Sequence, residues 1–309
     1  MDINMATHSA HTTVAEALYD PELTAIIEHA VERQWLFPAA LHIEGLSSQK
    51  SGQQRFYRVQ TQAGAFFIKR HRASNLAVYQ AEAQALETIR RSQTLATCAP
   101  LACATLGDHS YLILEFLPMV MGGDWLSAGQ QLAQMHRHTD EQGYGFDVTT
   151  YCGSTPQDNR WQSSWADFFI EQRLQPLLAT LARQGIHFAE QDLALSRAAE
   201  LLKNHQPKPS LLHGDLWSGN IGFNPDKDMA YAVVFDPSSY YGDLETDLAM
   251  TELFGRFPQR FYDGYASMAE VDAGYEQRRP LYQLYHTLNH SVLFGGAYIE
   301  HSRELMTLL

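Results

Sequence analysis

The sequence has few cysteines, an excess of negative charge and no long apolar run. Its three cysteines include no C-x-x-C pair, which excludes a disulfide framework and gives no sign of a zinc motif. Lys and Arg total 22 against 35 Asp and Glu, so the chain, at −13, would repel phosphate backbones and anionic membranes. No run reaches the ~18 apolar residues of a membrane helix, and the N-terminus does not resemble a signal peptide. These absences predict a cytoplasmic protein that binds neither nucleic acid nor membrane, and they leave its oligomeric state open.

The composition that remains is globular, with 45% hydrophobic and 18% charged residues. At about 150 residues per domain, the length suggests two domains or lobes. Runs rich in β-formers and one helix precede Pro118, whereas helical periodicity dominates after it. We expect an α+β fold with a flexible tail at 1–14, a small β-rich lobe at 15–118 and a larger, mainly helical lobe at 119–309.

Local patterns place the main elements. Helical spacing of apolar residues predicts helices over Glu22–Gln34, Asn75–Arg90, Leu126–His138, Trp165–Arg183 and Asp192–Asn204. Short apolar runs predict a hairpin with its turn at Thr61–Gly64, a buried strand at Tyr111–Leu117, and two strands around a turn at Asn224–Asp228.

The segment His213–Asn220 carries the strongest chemical signal. Asp215 is followed five residues later by Asn220, and Asp236 ends a later apolar strand. Phosphoryl transfer from ATP needs a carboxylate to accept the hydroxyl proton, and an amide oxygen with a second carboxylate to hold Mg²⁺. Asp and Asn in loops also make turns and caps. The combined spacing nevertheless favours a kinase site.

The small lobe offers the matching cation. Lys69 ends an apolar strand, and Glu82 lies thirteen residues later near the apolar stripe of the next helix. A Glu there is costly unless a cation meets it, so an ion pair that positions ATP phosphates is predicted. Glu87 is the second candidate for this Glu. The alternative is that Lys69 and Glu82 both extend towards solvent.

A phosphate-binding loop is the missing part of the pattern. No Walker A motif occurs, which excludes a P-loop fold, and the segment 44–54 has two glycines rather than GxGxxG. Its serines would still let backbone amides approach phosphates, and a plain surface turn is the alternative. At the junction of the lobes, Glu115 and Leu117 are candidates to contact adenine through backbone groups.

Several strings together resemble one family. They are Leu212-His-Gly-Asp-Leu-Trp-Ser-Gly-Asn220, Gln157-Asp-Asn159-Arg-Trp161, and Tyr240-Tyr-Gly-Asp-Leu-Glu245-Thr-Asp247. The chain resembles the fructosamine-3-kinase/ketosamine-3-kinase family, within the aminoglycoside-phosphotransferase-like branch of the protein-kinase-like fold, from about residue 20 onwards. The resemblance implies a bilobal kinase that uses ATP and Mg²⁺ to phosphorylate the 3-hydroxyl of small-molecule ketosamines or glycated lysines, leading to deglycation and protein repair.

The resemblance also implies roles for individual residues. Asp215 would be the base, and Trp217 would lie against the sugar-amine adduct. Asn220 and Asp236 would be ligands of Mg²⁺, and Lys69 with Glu82 would position the ATP phosphates. His213 and Asp247 would support the catalytic loop. The phosphate loop lacks the family's Gly-Gly pair and cysteine, so no disulfide switch is implied there. Alternatives are a kinase for another hydroxyl, of the amino alcohol or aminoglycoside type, and a nucleotide-binding pseudokinase.

Overall fold

The computed structural model describes residues 20–225 and 231–309. The tail predicted at 1–14 and most of the turn predicted at Asn224–Asp228 lie outside the described residues. Helices α1 to α10 are, in order, Pro21–Glu32, Leu76–Ser92, Trp125–Met135, Trp165–Phe169, Gln175–Arg183, Gln191–Leu202, Glu245–Leu253, Gln259–Ala266, Tyr275–Phe294 and Ala297–Leu308. Strands β1 to β12 are Ile43–Ser51, Gln54–Thr61, Gly64–Arg72, Ala96–Thr97, Pro100–Leu106, His109–Glu115, Thr150–Cys152, Thr155–Gln157, Ser210–Leu211, Ile221–Asn224, Tyr231–Val234 and Tyr241–Gly242.

The N-terminal part is an antiparallel sheet of five strands in the order β1-β2-β3-β6-β5. The predicted hairpin is present, with Thr61 paired to Gly64 across the β2–β3 turn. The segment 44–54 is mostly strand rather than loop, because β1 pairs along β2 and only Gly52 and Gln53 form the turn between Ser51 and Gln54. Cross-strand pairing thus overrides a local composition that is typical of a loop.

Helix α1 is fixed to this sheet by its first residues. The Asp20 carboxylate caps the helix by accepting hydrogen bonds from the main-chain nitrogens of Glu22 and Leu23, at 3.1 and 3.2 Å. Its other oxygen accepts from Tyr57 Oη at 2.8 Å on β2. An Asp N-cap contributes about 1 kcal/mol to helix stability, and here it also joins the helix to the sheet.

Helix α2 packs on the sheet through β5 and β6. Its buried face carries Tyr79, Leu86 and Ile89, as the helical spacing predicts. Because β6 pairs with β3, this packing also fixes where Glu82 lies relative to Lys69.

The helical part is built around one core that collects aromatic rings from α4, α8 and α9. Within it the hairpin β10–β11 is extended by β4, which pairs with β11 in parallel, Val233 opposite Ala96 and Val234 opposite Thr97. The segment between α2 and β5 is thereby tied to the strand that leads into Asp236. The boundary at residue 118 stays a prediction. Over the described ranges, no helix is long and apolar enough to cross a membrane.

Candidate active site

A cavity of about 560 Å³ lies where the N-terminal sheet faces the helical part. That volume is in the range of small-molecule sites. The sequence-predicted residues that line it are Lys69, Glu82, Asp215, Trp217, Asn220 and Asp236. Six side chains that are up to 167 positions apart in the sequence therefore meet at one place.

Lys69 lies at the centre of the buried charges. Its Nζ donates to Glu82 Oε1 at 2.7 Å and also to Asp236 Oδ1. Burial by itself would lower the pKa of Lys69, but the negative charges of Asp236 and Glu82 outweigh it and raise that pKa. The lysine therefore stays protonated. Glu87 instead pairs with Arg90 and Arg91 on the outer side of α2.

Asp236 follows β11 in an unusual backbone conformation. Its φ is +54°, in the left-handed region that a residue with a side chain seldom occupies. Such outliers persist where the surrounding structure enforces them and are concentrated at functional sites. The turn puts the carboxylate beside Lys69 instead of leaving it along the strand direction.

Asp215 and Asn220 face each other across the loop that joins β9 to β10. Asn220 Nδ2 donates to the main-chain oxygen of Asp215 at 2.9 Å and to its Oδ2 at 3.1 Å. Asp215 Oδ1 is buried and has no hydrogen-bond partner among the described residues. Burial, reinforced by the charge of Asp236, raises the pKa of Asp215 to about 7. A carboxylate tuned to neutral pH is suited to accept a proton.

His213 and Asp247 stabilise the backbone of the β9–β10 loop that carries Asp215. Asp247 on α7 accepts the main-chain N–H groups of His213 and Gly214 at 2.7 and 2.9 Å, and Nε2 of His136 at 3.2 Å. Burial would raise the pKa of Asp247, but the hydrogen bond from His136 and nearby charges lower it, so the anion persists. Gly214 has φ +84°, and a Cβ there would collide with the main-chain oxygen of Ser238.

The His213 ring is fully buried and serves the loop as well. Burial lowers its pKa, so the ring is neutral. Nε2 donates to the Phe235 carbonyl oxygen at 3.1 Å, and Nδ1 accepts the Asp215 main-chain N–H at 3.3 Å. Both nitrogens are thus used in fixing the backbone beside the two Asp residues.

Trp217 borders the cavity next to the predicted base. Its indole packs against Gly219, where an added Cβ would collide with the ring, and meets Phe254 edge-on at 6.4 Å between centroids. Aromatic rings continue from there along one wall through His290 and Tyr298. This wall provides an apolar face beside a polar floor, the kind of surface that carbohydrate and alkyl groups contact.

Glu115 and Leu117 are placed apart from these groups. Glu115 pairs with the Ala99 main chain at the end of β6, and Leu117 packs on the core under α2. Neither lines the cavity. A contact of either with adenine through backbone groups stays a prediction.

The sequence analysis assigns no role in the site to several residues that line the cavity. They come from the β7–β8 hairpin and from α9, and they are Tyr151, Cys152, Ser154, Asn289 and His290. The string Gln157–Trp161 contributes to the family resemblance, and the sequence predicts no contact for it. The structure shows it bracing the chain, with Asn159 Oδ1 accepting from Arg173 at 2.5 Å. No local signal in the sequence assigns the hairpin or α9 to the cavity.

The donors beside Lys69 and Asp215 fit a hard cation. Asn220 uses its Nδ2 on Asp215, so the amide oxygen is the atom it has left for a ligand. The Asp236 carboxylate uses one oxygen to accept from Lys69, and its other oxygen is a second possible ligand. Carboxylate and amide oxygens are the ligands Mg²⁺ prefers, and Asn220 and Asp236 together would hold such an ion.

Comparison with known proteins gives one consistent result. The fructosamine kinase family model matches residues 29–309. A probable ketoamine kinase from Synechocystis sp. is 42% identical over 243 residues, 78% of this chain and 81% of the relative. The chloroplastic protein-ribulosamine 3-kinase of Arabidopsis thaliana is 38% identical over 245 residues, 77% of this chain and 74% of its own.

Solved structures agree on the fold. A candidate fructosamine-3-kinase from Haemophilus somnus superposes with a TM-score of 0.83 at 29% identity, over 92% of this chain and 96% of its own. The aminoglycoside phosphotransferase APH(4)-Ia, in a ternary complex with AMP-PNP and hygromycin B, gives a TM-score of 0.60 at 14% identity, over 92% and 98%. The mixed α+β, kinase-like fold expected from the sequence is confirmed.

Proposed function

Because this chain belongs to the fructosamine kinase family, we propose that it transfers the γ-phosphoryl group of ATP to the 3-hydroxyl of ketosamines, the adducts of ketose sugars with amines. The observation that carries the proposal is the convergence of Lys69, Asp215 and Asp236 in one cavity. The relatives named ketoamine kinase and protein-ribulosamine 3-kinase support this substrate class. Phosphorylation at this position would lead to release of the amine, which is a repair of glycation in the cytoplasm.

Asp215 would accept the hydroxyl proton. Its Oδ2 is held by Asn220 Nδ2, while Oδ1 has no partner in the described chain and is the atom available to the hydroxyl. His213 and Asp247 keep the backbone of this loop in place through main-chain hydrogen bonds. The result is a base whose position and proton affinity are both set before substrate arrives.

Lys69 would bind the ATP phosphates, positioned by Glu82 from α2. Asn220 and Asp236 would hold Mg²⁺, which supplies charge neutralisation for the transferring phosphoryl group. The tip of the β1–β2 hairpin borders the same cavity through Ser51 and Gln54, and its backbone amides would approach the phosphates. Trp217 would cover the sugar-amine adduct on the other side of the base.

The direct test is ADP release from Mg·ATP and synthetic ribulose-lysine, with fructose- and erythrulose-lysine in parallel. Turnover that depends on the ketosamine, with phosphate recovered on the sugar 3-oxygen by NMR, is the expected result. Turnover only with amino alcohols or aminoglycosides would move the activity to another hydroxyl. Tight nucleotide binding without any turnover would indicate a pseudokinase instead.

Trp217→Ala is expected to raise the KM for ribulose-lysine about tenfold and to change the KM for ATP little. An aromatic face that covers a sugar or alkyl group contributes on the order of 1–2 kcal/mol, and 1.4 kcal/mol is tenfold in affinity. Steady-state kinetics with each substrate varied in turn measure the two constants. Trp35→Ala, a tryptophan outside the cavity, is the matched control. Equal increases in both KM values would contradict a sugar-side role.

Asp236→Ala is expected to weaken Mg·ATP binding at least tenfold while leaving binding of metal-free ATP less affected. The substitution removes one of the two proposed Mg²⁺ ligands and leaves the 2.7 Å ion pair between Lys69 and Glu82 in place. Isothermal titration with ATP, with and without Mg²⁺, separates the two affinities. Asp147→Ala, at an exposed aspartate, is the control. An unchanged Mg·ATP affinity would remove Asp236 from the metal site.

A further inference from the structure

Asp215 also belongs to a second cluster, whose other members are a cysteine and a histidine. Cys152 of β7 and His286 of α9 each present a possible ligand atom there. Together with a carboxylate oxygen of Asp215, these atoms all lie within 4.8 Å of one another. Three elements that are distant in the sequence thus bring a thiol, an imidazole and a carboxylate to one point.

His286 has no hydrogen bond that explains its burial. The ring is 0% exposed, and neither Nδ1 nor Nε2 has a partner in the part of the chain that the structure describes. Buried polar atoms are nearly always satisfied, and an exception calls for a water, an ion or a catalytic role. Burial lowers the pKa of His286 to about 3, so its ring is neutral, the form that binds metals.

Two further buried side-chain atoms, Asp215 Oδ1 and Asn289 Oδ1, are unsatisfied as well, with no partner among the described residues. Asn289 lies three residues after His286, on the same side of α9, and its Nδ2 donates to the Cys152 main-chain oxygen at 3.3 Å. Cys152, Asp215 and Asn289 line the cavity, so an ion in the cavity has access to the cluster.

We propose that Cys152, Asp215 and His286 form an inhibitory binding site for a borderline-soft divalent cation, with Zn²⁺ as the model ion. Thiolate, imidazole and carboxylate are ligands that Zn²⁺ combines in one tetrahedral site, whereas Mg²⁺ avoids sulfur and nitrogen donors. The site is therefore chemically distinct from the all-oxygen pair of Asn220 and Asp236. The fourth position is left for water or for Asn289 Oδ1.

The geometry requires only a small adjustment. Zn–S of ~2.3 Å and Zn–N or Zn–O of ~2.1 Å place tetrahedral ligand atoms about 3.5 Å apart. Ligand atoms that now lie within 4.8 Å must approach by at most about 1.3 Å, which side-chain rotation provides. On binding, the Cys152 thiol loses its proton to solvent and its sulfur bonds the cation, while His286 and Asp215 contribute lone pairs.

Occupation of the site would remove the proposed base, and this part of the inference rests on the proposed function. An Asp215 oxygen bonded to Zn²⁺ cannot accept the sugar hydroxyl proton. Inhibition is then a loss of turnover that excess Mg²⁺ does not relieve, because the two cations occupy different ligand sets. The kinase would be switched off by free zinc at a concentration set by the Cys152–His286 pair.

The test compares Zn²⁺ inhibition of ADP release in the wild type, Cys152→Ser and His286→Phe, each normalised to its own uninhibited rate. Buffered Zn²⁺ is titrated at saturating Mg·ATP in a phosphine reductant. Both variants are expected to need at least tenfold more Zn²⁺ for half-inhibition, and Cys103→Ser, at a cysteine outside the cavity, is expected to match the wild type. Equal inhibition in all four proteins would overturn the proposal, as would relief by excess Mg²⁺.

A second readout does not depend on activity. Co²⁺ replaces Zn²⁺ and gives an intense thiolate-to-metal absorption band only when sulfur is a ligand. The wild type is expected to show this band with one equivalent of Co²⁺ bound, and Cys152→Ser is expected to lose it. No band in a folded wild-type protein would overturn the site even if the protein is an active ketosamine kinase, whereas a band in a protein without turnover would keep the site and contradict the proposed function.

Discussion

Asp215→Asn is expected to lower turnover by about 10²- to 10⁴-fold, the contribution that general bases make, while Mg·ATP affinity stays within a few-fold of wild type. The amide cannot accept the hydroxyl proton, yet it has nearly the shape of the carboxylate and leaves Asn220 and Asp236 in place. Single-turnover phosphoryl transfer and nucleotide titration measure the two effects. Asp147→Asn is the control, and a near-normal rate in Asp215→Asn would show that Asp215 is not the base.

The same substitution is expected to stabilise the metal-free protein at pH 8. Burial raises the pKa of Asp215 from 3.8 to about 7 in the folded state, so the ionised form opposes folding. The penalty is absent below pH 4, grows as the pH rises towards 7 and is complete above it. A shift of this size corresponds to at most on the order of 4 kcal/mol, which the neutral amide does not incur.

Thermal unfolding in EDTA at pH 4.5 and pH 8 measures this effect. Asp215→Asn is expected to unfold several degrees above wild type at pH 8 and close to it at pH 4.5. A difference that is the same at both pH values would mean that the side chain's charge is not the cause. If the difference appears only at pH 8, the charge that serves activity at Asp215 lowers the stability of the fold. Such opposition is common where a site holds a charged group out of water.

The parts of the site that the sequence predicts are those whose partners are close along the chain or share a recognisable spacing. Asp215 and Asn220 are five positions apart in one loop. Lys69 and Glu82 lie on consecutive elements, and the cost of a carboxylate near the apolar stripe is enough to suggest their ion pair. In both cases short-range geometry settles the contact.

The rest depends on contacts that have no local signature. The β4–β11 pairing that ties the N-terminal sheet to the Asp236 strand is only two residues long, too short to produce a strand pattern. Strand β1 has three serines and a glycine, a composition typical of a loop, and is a strand because β2 pairs with it. His286 lies in a helix with a buried apolar face, and its position in the sequence does not distinguish it from a residue of the core. Cys152 is brought close to it by the β7–β8 hairpin, which is only three residues long on each strand.

Lys69→Met is expected to cause the largest loss of stability among single substitutions at the site, together with a large loss of activity. Without the ammonium, Glu82 and Asp236 become two neighbouring carboxylates with no counter-charge, and breaking a buried ion pair in this way costs about 3–5 kcal/mol. Turnover should fall by about 10²-fold or more, since the phosphates lose their fixed cation. Thermal unfolding and ADP release measure the effects, with Lys203→Met, at an exposed lysine, as the control.

The double substitution Lys69→Met/Glu82→Gln separates structure from function. Glu82, whose side chain is 12% exposed against 26% for Asp236, is the more enclosed carboxylate, so its neutralisation should recover most of the lost stability. Turnover should stay low, because no cation has been returned to the phosphates. If the double variant regained activity together with stability, Lys69 would act only by holding the fold. If Lys69→Met alone unfolded at the wild-type temperature, the ammonium of Lys69 would not be needed to offset the charges of Glu82 and Asp236.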